Sequence, residues 1–87
     1  MKGRTVLVTG GAKGIGKATA FAFANAGYNV IIAYNSSEAA AYEMVGELQR
    51  REINCCAFRA DLTKRQDVEN LYKQCKETFG FAYTVIN

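Results

Sequence analysis

The stretch Thr9-Gly-Gly-Ala-Lys-Gly-Ile-Gly16 concentrates glycine where the chain leaves an apolar run and enters a helical one. At such a turn the backbone N–H groups that open the helix lack intrahelical partners, and they can satisfy the negative oxygens of a pyrophosphate. Gly10 permits the tight exit from the preceding run, Gly14 lets a phosphate approach the backbone, and Gly16 lets the helix pack closely. The spacing of these three differs from the general GxGxxG fingerprint. No Lys-Ser/Thr pair follows the last glycine, which excludes a Walker A loop. The competing reading is a structural turn with no ligand.

A second group of residues bears on which dinucleotide would bind. An acid about 20 residues past the glycines accepts from the ribose 2′-hydroxyl of NAD and repels the 2′-phosphate of NADP. Tyr34-Asn35-Ser36-Ser37 contains no acid. Lys13 can meet that phosphate as a point charge, with Asn35 and Ser36 donating hydrogen bonds beside it. This pattern predicts NADP rather than NAD. The plainer alternative leaves Lys13 solvated in the loop and uses Ser36 and Ser37 only as helix caps. Asp61, before Leu62, has two readings: its carboxylate borders the adenine, or it is a turn residue ahead of a helix cap at Thr63.

These residues need elements to hold them on one edge. Thr5–Thr9 and Asn29–Tyr34 are short, β-branched apolar runs suited to strands buried on both faces. Cys55–Ala60 is a weaker third strand, and Tyr83–Ile86 begins a fourth. Between them, 14–26 reads as a small-residue helix with Ile15, Thr19, Ala22 and Ala26 on its apolar seam and Gly27 at its end. A second helix over 38–51 has Ala41, Val45 and Leu48 as its buried seam. Thr63-Lys-Arg-Gln66 has the capping-box pattern. The helix that follows carries Val68, Leu71, Tyr72, Cys75 and Phe79 at helical spacing and ends at Gly80. Alternating strands and helices predict an α/β fold: a partial Rossmann-like, doubly wound parallel sheet, βαβαβαβ, of order 3-2-1-4. No pattern recurs at the period of the βα units, which argues against a solenoid.

Composition narrows the function classes. The 87 residues are 49% hydrophobic and 22% charged, the balance of a folded globule. The net charge of +3 is spread from Lys2 to Lys76, not gathered into the footprint that nucleic-acid binding needs, so no nucleic-acid partner is expected. Cys55, Cys56 and Cys75 form no CxxC pair and there is no histidine, so neither a zinc site nor a disulfide framework is expected. Reduced, mostly buried thiols follow. The start lacks a signal-peptide pattern and the apolar runs are too short to span a bilayer, so a cytoplasmic location with no membrane association is expected.

Thr9-Gly-Gly-Ala-Lys-Gly-Ile-Gly16, the pair Asp61-Leu62 and the terminal Val85-Ile86-Asn87 together resemble the start of a short-chain dehydrogenase/reductase, and most nearly its 3-oxoacyl-[acyl-carrier-protein] reductase branch. The resemblance covers essentially the whole chain as one incomplete dinucleotide-binding domain, about the first third of such an enzyme. It implies that Thr9, Gly10, Gly14, Ile15 and Gly16 line the pyrophosphate, that Lys13 accompanies NADP use, and that Tyr34 occupies the place of the acid in NAD-dependent relatives. It also implies that Asp61 and Leu62 meet the adenine, and that Asn87 is the first residue of an Asn-Asn-Ala-Gly segment.

The catalytic Ser and Tyr-x-x-x-Lys of that family would lie beyond Asn87, so no catalytic residue is assigned. Tyr72-Lys-Gln-Cys-Lys76 has the spacing but falls in the helix before strand four, with Tyr72 expected on its apolar seam. The resemblance implies a parent enzyme of fatty acid biosynthesis type, reducing a 3-oxoacyl thioester with NADPH, and a chain inactive by itself. Its expected partners are the missing carboxy-terminal portion or a second copy, with a small-molecule or acyl-carrier substrate for the parent. The alternatives are a free-standing nucleotide- or partner-binding module without catalysis, and a structural or response-regulator-like globule. The last gives no reason for the glycine spacing.

Overall fold

Valine, isoleucine and leucine dominate the two central strands because both faces of each are covered. The computed structural model describes residues 3–10, 12–80 and 84–86. Their elements run β1 (Thr5–Thr9), α1 (Gly14–Asn25), β2 (Asn29–Tyr34), α2 (Glu38–Arg50), β3 (Cys55–Arg59), α3 (Arg65–Phe79) and β4 (Thr84–Ile86). All pairings are parallel and the strand order is β3-β2-β1-β4. The expected architecture and order are therefore present. Tyr83, the expected start of the fourth strand, lies outside the described residues.

Period-two alternation divides the core into two layers. Val6, Val8, Val30, Ile32 and Tyr34 face α1 and α2, meeting Ala20, Ala24, Ala41, Met44 and Leu48. Leu7, Ile31 and Ala33 face the other way, onto Leu71 and Cys75 of α3. Helices on opposite faces make the sheet doubly wound. At its amino-terminal edge the buried Asn29 donates to the Thr5 hydroxyl at 3.3 Å and accepts from Asn54 at 3.4 Å. This side-chain ladder joins the starts of β1, β2 and β3 beside the first main-chain bonds, from the Asn29 amide to the Arg4 carbonyl at 2.7 Å and from the Val30 amide to the Asn54 carbonyl at 3.0 Å.

Helical faces depart from the sequence expectation in three places. In α1 the buried positions are Ala20 and Ala24, whereas Ile15 is 86% exposed and Ala22 and Ala26 face solvent. The helix lies on the sheet through its smallest side chains, which let the backbones approach; a large residue on that face would hold them apart. In α2 the fully buried set is Ala41, Met44 and Leu48, with Val45 only half-buried. In α3 Tyr72 is 51% exposed while its neighbour Leu71 is buried, so Tyr72 stands at the margin of the seam.

The expected cap of α3 is also different. Thr63 makes no capping bond; its hydroxyl donates to Asp61 Oδ1 at 2.6 Å, and the helix begins after Lys64. Asp67, in the first turn, reaches back to accept from the Asp61 amide at 2.9 Å. Three free cysteines are present, with Cys55 and Cys75 buried and Cys56 half-buried. Among the described residues no helix is long and apolar enough to cross a membrane.

Candidate cofactor site

Parallel pairing brings the carboxyl ends of β1, β2 and β3, at Thr9, Tyr34 and Arg59, to one sheet edge. The chain leaves β1 through Gly10, whose φ of +66° is a left-handed conformation that costs glycine little. The Gly10 amide donates to the Ala33 carbonyl at 2.9 Å, and the Thr9 hydroxyl donates to the Ile86 carbonyl at 3.1 Å. Thr9 and Gly10 therefore moor the loop to β4 and β2 respectively.

Helix α1 then opens with Lys13 as its N-cap residue, in extended conformation and with no side-chain capping bond. Its first intrahelical bond runs from the Lys17 amide to the Lys13 carbonyl at 3.1 Å. The amides of Gly14, Ile15 and Gly16 precede that bond and have no intrahelical acceptor. Helices α2 and α3 also lack side-chain caps, but each carries an acid in its first turn, Glu38 and Asp67. Helix α1 carries none. Its positive dipole end is thus the one not complemented by a carboxylate in its own first turn.

Among the described residues, a Cβ built on Gly10 or Gly14 meets no atom within 4 Å. Lys13 and Gly14 are exposed, Ile15 projects into solvent and Gly16 is half-buried.

At the end of β2 the sequence-selected residues separate. Tyr34 is buried, its hydroxyl donating to Tyr42 at 3.4 Å, and that bond together with burial pushes its phenol up to about 12. Its side chain points into the layer beneath α2, so the ring is directed away from the sheet edge. Asn35 and Ser36 are the first exposed residues past the strand. The Asn35 carbonyl accepts from Arg59 Nε at 3.1 Å, a contact with no signal in the local sequence.

At the end of β3, Asp61 Oδ1 accepts from both the Thr63 hydroxyl and the Thr63 amide, which holds its carboxyl below the ordinary carboxylate value. The carboxylate is thereby built into a turn at the carboxyl edge of the sheet, which is the turn reading of Asp61. Leu62 is 45% exposed. Asn87 lies outside the described residues.

The fold agrees with what comparison finds. A family model described as short chain dehydrogenase matches residues 4–87. The hydroxynaphthalene reductase-like protein Arp2 of Metarhizium guizhouense is 36% identical over 87 residues, covering all of this chain and 33% of that protein. Among solved structures, FolM alternative dihydrofolate reductase 1 from Brucella canis, complexed with NADP, superposes with a TM-score of 0.87 at 34% identity, covering 94% of this chain and 33% of that one. A short-chain dehydrogenase/reductase from Burkholderia phymatum, in complex with NAD, gives a TM-score of 0.90 at 25% identity, covering 95% and 29%. The chain spans about a third of the length of the proteins it matches.

Proposed function

Because the chain belongs to the short-chain dehydrogenase family, we propose that it is the cofactor-binding portion of an oxidoreductase that reduces a carbonyl with NADPH. The observation that carries this reading is the opening of α1: amides without intrahelical acceptors, no acid in the first turn and, among the described residues, no atom within 4 Å of a Cβ on Gly10 or Gly14. When bound, the nicotinamide supplies the hydride. The residues of this chain supply the grip: Gly14, Ile15 and Gly16 offer amides to the pyrophosphate, and Thr9 and Gly10 fix the loop. Asp61 and Leu62 border the adenine. Proton transfer to the reduced oxygen belongs to residues of the parent enzyme outside this chain.

NADP is favoured over NAD by charge. No acid occurs at 34–37, Asn35 and Ser36 are exposed past β2, and Lys13 stands exposed at the α1 entrance. The NADP-bound relative FolM agrees with this preference, and the NAD-bound relative shows that the fold admits both. For the parent's substrate, the motif resemblance supports a 3-oxoacyl thioester, whereas the name of the fungal relative points to a hydroxynaphthalene. The thioester is the reading we put forward. Turnover of the parent enzyme on each substrate separates them, and turnover of the hydroxynaphthalene alone would reject the thioester.

The test of the cofactor reading is calorimetric titration with NADPH and NADH of the wild-type chain and of Lys13→Ala. NADPH should bind more tightly, and loss of the Lys13 charge should narrow the difference by about tenfold. Equal or preferential NADH binding, unaffected by the lysine, rejects it.

A specific surface supports a partner as well. Leu7, Thr9, Leu62, Val68, Leu71, Tyr72 and Val85 line an apolar cavity of about 200 Å³ beside β1 and β4, with Leu62, Tyr72 and Val85 exposed. This face is suited to receive further polypeptide, either the carboxy-terminal portion of the parent or a second copy. Sedimentation of the chain alone and with the remaining portion added distinguishes the two.

A further inference from the structure

Arg59 ends β3 directly opposite Tyr34 in the parallel register. Main-chain pairing between these strands reaches its last bond where the Ala60 amide donates to the Tyr34 carbonyl at 2.8 Å. One residue further on, the Arg59 side chain takes over, with Nε donating to the Asn35 carbonyl at 3.1 Å. The first residue beyond β2 is thus tied to β3 by a guanidinium, and Asn35-Ser36 is held at the sheet edge.

A guanidinium has five N–H donors in a rigid plane, and Nε supplies one of them. Among the described residues the terminal nitrogens of Arg59 have no hydrogen bond or ion pair, and the residue is exposed. Several carboxylates lie around it. Asp61 is held by Thr63, Glu38 sits in the first turn of α2, and Asp67 and Glu77 of α3 line a pocket together with Arg59. Among the described residues none of them forms an ion pair with Arg59. The positive charge nonetheless acts on both the Tyr34 hydroxyl and the Asp61 carboxyl, which places it between the ends of β2 and β3. A planar fork with its outer donors unengaged, on the edge where the adenosine ribose would rest, matches the geometry of a phosphomonoester.

We infer that Arg59 is a specificity-determining residue for the cofactor: its outer nitrogens and Lys13 form a pair of cations on the ribose 2′-phosphate, while Nε sets the Asn35-Ser36 turn. This inference rests on the NADP reading above. It assigns the 2′-phosphate a second cation, supplied from β3, the strand farthest from the glycine loop.

The experiment measures binding of adenosine 2′,5′-bisphosphate and of adenosine 5′-monophosphate, which differ only in the 2′-phosphate, to wild type, Lys13→Ala, Arg59→Met and Arg59→Lys. Circular dichroism checks the fold of each. Arg59→Met should weaken the bisphosphate by about tenfold and the monophosphate less than about twofold, and reduce the salt dependence of bisphosphate binding. Arg59→Lys, which keeps the charge and loses the fork, should fall between. Should Arg59→Met fail to fold, Arg59→Lys decides by the same comparison. Equal weakening of both nucleotides, or none, overturns the inference and reduces Arg59 to a strut for the turn. If Arg59→Met has no selective effect while Lys13→Ala does, the NADP reading stands and the inference alone fails. If the wild type shows no preference for the bisphosphate, both fail.

Discussion

Gly10 donates its amide to the carbonyl of Ala33 at 2.9 Å while holding a φ of +66°. The turn that opens the cofactor loop is therefore also the last rung joining β1 to β2. Its amide is spent inside the sheet, which leaves the amides at the start of α1 as the donors for the phosphate in the proposed site.

Replacing Gly10 tests that division of labour. Among the described residues a Cβ there meets nothing within 4 Å, so Gly10→Ala carries a backbone penalty without a clash against them. The expected loss is about 1–2 kcal/mol of stability, measured by urea denaturation. Nucleotide affinity of the folded fraction should change little. A large loss of affinity at unchanged stability would mean that Gly10 itself faces the phosphate.

The face on which α1 rests gives a second prediction. Ala20 is fully buried against the sheet and Ala22 faces solvent. Ala20→Leu should destabilise by about 1–3 kcal/mol through overpacking, whereas Ala22→Leu should stay within about 0.5 kcal/mol. Thermal or chemical unfolding of the two variants compares them directly, and the reverse ranking would restore the seam read from the sequence.

Tyr34 gives a prediction in alkali. Its phenol is pushed up to about 12, first by the hydrogen bond to Tyr42 and then by burial. A folded-state value above the unfolded one means that the associated stability is complete below the unfolded value near 10 and is lost as the pH rises towards 12. Tyr42→Phe removes the acceptor and should bring the Tyr34 titration down. Phenolate absorbance against pH reads this, and an unchanged midpoint would show that burial alone sets it.

Asp61 shifts in the opposite direction. Its carboxyl is lowered first by the Thr63 hydroxyl and then by the Thr63 amide. A depressed folded-state value means that the contribution is present above the ordinary carboxylate range and is lost as the pH falls through the folded-state value. Thr63→Val deletes the hydroxyl donor while leaving the amide in place, so the Asp61 midpoint should rise part of the way back. Carbon-detected magnetic resonance of the carboxyl follows it, and no movement would exclude the hydroxyl bond in solution.

The order of elements, the parallel topology and the glycine loop were all legible in the sequence. Each of these is written locally: β-branched runs for strands, glycines at the turns, and connections long enough to need helical crossovers of one hand. The buried face of α1 was not legible, because a helix rich in alanine presents apolar surface all round and periodicity selects no side. Only docking on the sheet chose Ala20 and Ala24 over Ile15, Ala22 and Ala26. The same holds at the cofactor edge. The absence of an acid at 34–37 was plain in the sequence, but the inward turn of Tyr34 towards Tyr42 and the bond from Arg59 to Asn35 required the assembled sheet. Arg59 and Asn35 are 24 residues apart, a separation that no local pattern encodes, and the register of two parallel strands is what makes them neighbours.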